Sequence, residues 1–316
     1  MRPNNYNLNQ LSLFLLITGP IFFSLITAFK VFGLDPDYFN YFYSFGLKKN
    51  FYNSEPIPYV IEQAIISIGG DFNLYLFFIT LCSLTIKFYF FRNSTKYSII
   101  AISIYLVTFF PLHEYTQIRA SLSTAFTMLF LLKLQNDHKK KAALYLVLSI
   151  LCHYSAIINL AILFVKKTRL KPFFVFLIII TVTLSNISID YFENAISYSQ
   201  LLLELYINNH GPKESFNLIN SSIISVLAPL FILIFLNLSS NNKDIYIKSI
   251  AIGVSLYFIF GSIGLMTMAF RYLEFFSPLL IVVILNFLSV SKNKFVWLLA
   301  MALFTLINSQ NILISF

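Results

Sequence analysis

Charge is scarce in this chain: 11% of its 316 residues are Asp, Glu, Lys or Arg, against 58% that are hydrophobic. Soluble globular domains carry about 25% charged residues, so a soluble enzyme is excluded. Cysteine is nearly absent too, with two residues, Cys82 and Cys152, both inside apolar runs. No disulfide framework or zinc spacing follows, and the two thiols read as apolar fillers. The nine glycines build no phosphate-cradling loop, and no nucleophile elbow occurs. An internal repeat of the kind that underlies inverted-repeat transporters is missing. The first apolar run, residues 11–29, has no basic segment ahead of it. It reads as a retained helix and not as a cleaved signal.

What is present is hydrophobic length. Mean hydropathy is +0.77, and apolar runs long enough to span a bilayer recur about ten times. Spans fall near residues 11–29, 72–91, 97–110, 118–134, 173–189, 219–238, 249–270, 272–290 and 295–314. The stretch 142–165 needs separate treatment, because DHKKK precedes it and KKTRLK follows it. Lysine and arginine are held on the cytoplasmic side, so both ends of this stretch belong there. A re-entrant hairpin that breaks near His153 satisfies that rule and keeps SKNK inside as well. The expected fold is therefore all-α. It is a polytopic transmembrane bundle of about 9–11 membrane helices, including the hairpin, in one integral-membrane domain over residues 1–316. Broken helices at membrane depth are tolerated where they are buried or line a cavity, which marks the surroundings of His153 as a cavity candidate. The net charge of +9 has a membrane explanation and needs no nucleic acid.

Two exterior loops remain, residues 31–59 and 190–220. The first is rich in tyrosine and phenylalanine and carries Asp35, Asp37 and Glu55. Interfacial anchoring is its simple reading; carboxylates facing a sugar cavity are the functional one. In the second, residues 191–206 alternate apolar and polar faces at helical spacing, ahead of Gly211–Pro212. A short amphipathic helix on the outer leaflet, closing over the site, is expected there.

Ionisable groups within apolar runs are the functional signal, because each costs roughly 2.5–3.5 kcal/mol to insert at the bilayer centre. They are Arg119 in QIRASLSTAF, Arg271 in MAFRYLEFF and His153 in LSILCHYSAII. Each has a simple alternative. Arg119 can snorkel or pair with Glu114, Arg271 can pair with Glu274 one turn on, and His153 can be a packing residue. Two fixed guanidinium forks facing a membrane cavity suit an anionic ligand, and in a bilayer that means a lipid-linked phosphate. Tyr38, Glu114, Gln117 and Tyr272 stand beside these groups as candidates for sugar contact or support.

In order, the chain shows DPDYFNYFYSF, SEPIPY, QIRASLSTAF, CHYSAI and FRYLEFF. This ordered set resembles the EpsG-like branch of the Wzy-type polysaccharide polymerases over almost the whole chain. Ala120 follows Arg119 where that family commonly has glutamine. The resemblance implies metal-independent, inverting-type glycosyl transfer with no cofactor, at the outer face of the bacterial inner membrane. Its implied substrates are undecaprenyl-pyrophosphate-linked oligosaccharides, with a flippase and a chain-length regulator as pathway partners. Arg119 and Arg271 would hold the pyrophosphate, and Asp37, Asp35, Glu55 or His153 would take the acceptor proton. A lipid-linked oligosaccharide flippase, a membrane acyltransferase acting on surface glycans and a non-catalytic assembly partner are the alternatives.

Overall fold

The computed structural model describes residues 6–30, 38–47, 55–168, 173–174, 177–178, 180–181, 221–235, 244–262, 265–290 and 294–315. Every regular element among them is helical. Three helical stretches, Phe72–Ser94, Ile245–Ser262 and Met268–Ser289 (the last with a turn at Ser277–Pro278), are long and apolar enough to cross a membrane. Shorter apolar helices cover Leu16–Ala28, Ser98–Thr108, Tyr154–Val165 and Lys294–Asn308. The chain is an all-helical, polytopic membrane protein. Asp35, Asp37 and the expected amphipathic segment 191–206 lie outside the described residues.

Two compact units divide the chain: Met1–Leu160 with Ile281–Phe316, and Ala161–Leu280. In the first, α1 (Tyr6–Ala28) packs along α4. Gly19 makes that approach possible, since a Cβ there would sit 2.8 Å from the Phe88 ring. Within the segment 31–59 lies α2 (Tyr38–Ser44), and α3 (Pro56–Ser67) begins before the segment ends. Two prolines open α3, Pro56 at its first position, where the missing amide hydrogen costs nothing. Gly69, at φ 73°, ends α3 in the left-handed conformation that favours glycine, and Gly70 N donates back to Ile65 O at 2.9 Å. Asp71 then caps α4 (Phe72–Ser94) by accepting from Leu74 N at 2.9 Å. After α5 (Ser98–Thr108) comes a π-helical turn, Pro111–Thr116. From it the chain enters α6 (Ile118–Gln135) and, past Asp137 at φ 57°, α7 (Lys139–Cys152).

Helices α6 and α7 form an antiparallel pair joined by hydroxyls. Ser123 Oγ donates to Ser149 O at 2.8 Å, and Thr127 Oγ1 lies 2.7 Å from Ser149 Oγ. Helix α7 stops at His153, whose backbone is extended (φ −159°, ψ 123°), and a 3-10 turn, Tyr154–Asn159, follows. Asn159 Nδ2 donates to the same Thr127 Oγ1 at 2.8 Å. Ser149 and Asn159 therefore stand at one level of α6, so the chain between them has gone up and come back. A straight helix would carry residue 159 about 15 Å beyond residue 149. The break sits where the hairpin reading puts it. Its sidedness is testable: with Cys82 and Cys152 removed, cysteines placed at Lys140 and at Lys167 should both be labelled from the cytoplasm alone. Labelling at position 167 from outside would mean a full span.

The second unit contains α8 from Ala161 onward (Leu160–Val165 in all), α9 (Ser221–Phe235), α10 (Asp244–Ser262) and α11 (Met266–Phe276). Lys248, 2% exposed, donates to Val165 O at 3.0 Å, to Lys166 O at 3.3 Å and to Thr168 O. These carbonyls lie at and just past the C-terminus of α8, where a cation is favoured. Gly253 lets α10 approach α11, because a Cβ would lie 2.9 Å from the Phe276 ring. The expected spans 249–270 and 272–290 need correction: α10 ends at Ser262, and Leu265 caps α11. Arg271 thus sits inside a helix and not at a boundary. Hydropathy reports apolar length and is blind to where one helix ends and the next begins. Helices α12 (Leu279–Val290) and α13 (Lys294–Ser315) return the chain to the first unit, where Phe287 stacks on Trp297 at 5.3 Å.

Candidate active site

Three of the charged or titratable residues singled out in the sequence meet in the first unit. Arg119 is the second residue of α6, Glu55 caps the start of α3, and His153 is the break after α7. Arg119 Nη1 lies 3.0 Å from Glu55 Oε2, and His153 Nδ1 lies 3.6 Å from Glu55 Oε1. Glu55 makes no capping hydrogen bond with its side chain, but its charge sits at a helix N-terminus, where an anion is favoured. The Arg119 guanidinium also rests on the Tyr41 ring, 5.0 Å from its centroid. Ile118 and Cys152, the chain neighbours of Arg119 and His153, belong to a buried hydrophobic cluster with Ile65, Tyr75 and Leu122. Arg119 remains 43% exposed at its side chain, against 11% for Glu55 and 19% for His153. The cation is the member that a ligand reaches first.

Local structure explains the tautomer available at His153. Its Nδ1 accepts from Ser155 N at 3.2 Å and lies 2.9 Å from Ser155 Oγ, so the imidazole caps the 3-10 turn that follows. A nitrogen that accepts an amide hydrogen carries no proton itself, which puts the proton of the neutral ring on Nε2. At 3.6 Å the contact with Glu55 is electrostatic and not a hydrogen bond. It strengthens when the ring is charged.

Glu114 does not serve Arg119. Its carboxylate is fully buried and is taken up by Lys87 Nζ at 2.6 Å, Tyr105 Oη at 2.7 Å, Ser121 Oγ at 2.8 Å and Ser83 Oγ at 3.1 Å. Lys87 also donates to Tyr105 Oη and to Ser121 Oγ, both at 2.7 Å. This cluster ties α4, α5, the π-helical turn and α6 together, five residues ahead of Arg119 and two behind it. A π-helical turn is rare and tends to occur at functional sites, where it redirects the backbone. Here it aims the start of α6.

The remaining candidates fall as follows. Gln117 caps α6 beside Arg119. Tyr38 is buried, stacked on Phe42 at 5.9 Å and lying under the Lys30 ammonium, which is 5.2 Å from its ring. Tyr41, one turn along α2, is the tyrosine that meets Arg119; the spacing of Tyr38, Tyr41 and Phe45 on one helical face was its signal. Arg271 and Tyr272 lie on α11 in the second unit, where Tyr272 stacks on Phe260 at 5.3 Å. Lys87 was the missed residue whose signal was plain, a lysine in the middle of an apolar run. Among the described residues, no three His, Cys, Asp or Glu side chains gather to hold a metal ion.

Comparison with curated proteins and with solved structures finds no match. A family model described as the EpsG family matches residues 13–314, nearly the whole chain. On this match, this membrane protein belongs to the EpsG family.

Proposed function

We propose that the protein is a glycosyltransferase that polymerises undecaprenyl-pyrophosphate-linked oligosaccharide repeat units at the outer face of the bacterial cytoplasmic membrane, for O-antigen, capsule or exopolysaccharide. Membership of the EpsG family supports this reading. The observation that carries it is the meeting of a partly exposed guanidinium, a carboxylate and an imidazole beside a buried hydrophobic cluster.

The growing glycan, linked to the lipid pyrophosphate, is the donor. A repeat-unit hydroxyl attacks the donor's anomeric carbon and forms the new glycosidic bond. The bond from that carbon to the pyrophosphate oxygen breaks, and its electron pair leaves with undecaprenyl pyrophosphate. The hydroxyl proton passes to Glu55, with His153 beside it to share the charge; Asp35 and Asp37 are the other candidates for this role. Negative charge grows on the leaving pyrophosphate, so Arg119, with Arg271 as the second cation, stabilises the transition state more than the ground state. This scheme uses no metal ion or cofactor. Tyr41 and the other aromatic residues of α2 offer faces on which sugar rings stack.

The test is direct. Purified protein is incubated with one synthetic undecaprenyl-pyrophosphate repeat unit, and products are resolved by size. A ladder of longer glycans is expected; unchanged substrate would reject the polymerase reading in favour of transport or scaffolding.

A further inference from the structure

The ion pair at the centre of the site leaves one guanidinium donor unfilled. Glu55 meets Arg119 through one oxygen and one terminal nitrogen, at 3.0 Å. Arg119 Nε is buried and has no hydrogen-bond partner among the described residues. Guanidinium is a planar fork that matches two oxygens of one anion, and here its Nε edge is unused. The other oxygen of Glu55 faces His153 at 3.6 Å. A partly exposed cation, an almost buried carboxylate and an unfilled donor describe a pair built to be exchanged.

We propose that Glu55 is an internal stand-in for the anionic ligand of Arg119, so that pyrophosphate binding and release of the catalytic base are one event. The two phosphate groups of the pyrophosphate reach both edges of the guanidinium, one at Nε and Nη2 and the other at Nη1, the nitrogen that Glu55 now holds. Glu55 is displaced, keeps its negative charge, and swings to His153 and the acceptor hydroxyl. With the site empty, the carboxylate is held by the guanidinium and is a poor proton acceptor. With the donor bound, the same carboxylate has lost its cation and accepts the proton. The order of events follows: donor first, acceptor second. Water meeting an empty site finds no active base, and an acceptor arriving alone is not activated. This rests on the proposed pyrophosphate site and adds its regulation.

The experiment is titration calorimetry on the full-length protein in detergent, without magnesium, with inorganic pyrophosphate in one arm and undecaprenyl pyrophosphate in micelles in the other. Glu55→Gln and Glu55→Ala remove the competitor in two shapes. Both should bind each ligand on the order of tenfold more tightly than wild type, the gain expected when a site that is about one-tenth available becomes fully available. The same variants should yield shorter glycan ladders. Arg119→Ala should abolish binding. Affinity that is unchanged or weaker in the Glu55 variants, with Arg119→Ala still abolishing it, overturns the stand-in and leaves the pyrophosphate site standing. Binding that survives Arg119→Ala, or no binding by any of the proteins, rejects the site itself. Tightening for the inorganic ligand alone means a free-anion site and overturns the lipid donor. Wild-type protein gives an independent reading: carboxyl footprinting of Glu55, mapped by mass spectrometry, should rise severalfold with pyrophosphate, and no rise contradicts displacement.

Discussion

Arg119→Ala protein is expected to insert into the membrane normally and to extend glycan about 100- to 1,000-fold more slowly than wild type, the loss typical when one preorganised donor to a developing anion is removed. Folding should survive the change, because Arg119 keeps 43% of its side chain exposed. Arg119→Lys should fall between alanine and wild type. Lysine restores the charge but cannot present two donors to one phosphate group. Arg271→Ala should show a loss in the same range, through the second cation assigned to the pyrophosphate. Ladder formation by purified variants, normalised to protein recovered from membranes, checks each case. Wild-type ladders from Arg119→Ala would remove it from the reaction; wild-type ladders from Arg271→Ala would leave Arg119 as the sole phosphate ligand in the scheme.

Breaking the buried Lys87–Glu114 pair should act on folding before it acts on chemistry. Both side chains are fully buried, so Lys87→Met alone strands a carboxylate in the bundle, and Glu114→Gln alone strands an ammonium. Such single changes cost about 3–5 kcal/mol, because desolvation is no longer compensated. The double variant Lys87→Met with Glu114→Gln removes both charges and should recover most of that loss; a buried pair often contributes little net stability over neutral packing. Thermal unfolding in detergent of the two single variants and the double gives the coupling. Additive losses would mean that the pair is not the unit shown by its 2.6 Å contact. If the double variant is stable but extends glycan slowly, the cluster also sets the aim of Arg119 through the π-helical turn.

Much of this protein was legible in its residues. Low charge and long apolar runs dictate a helical membrane protein, because the bilayer core offers no other partner for the backbone. A lone arginine, histidine or lysine in such a run marks itself, since the cost of burying it demands a reason. The clusters DHKKK and KKTRLK on either side of one apolar stretch made the break near His153 predictable, and the return of Asn159 to the level of Ser149 agrees with it. The ordered motifs also carried the EpsG family. Pairing was not legible. Glu114 lies five residues from Arg119 in sequence, yet its partner is Lys87, 27 positions away; Arg119 instead meets Glu55 from another helix and Tyr41 from a third. Periodicity says which face of a helix is polar, but not which neighbour that face will find. The π-helical turn and the start of α11 at Leu265 were hidden for a related reason: hydropathy averages over a window, while a turn or a helix end depends on one or two residues and on what packs against them. Residue types and their order determined the class, the family and the suspects. The tertiary packing of α3, α6 and the broken α7 decided which suspects share a site, because partner choice depends on distances that no linear pattern contains.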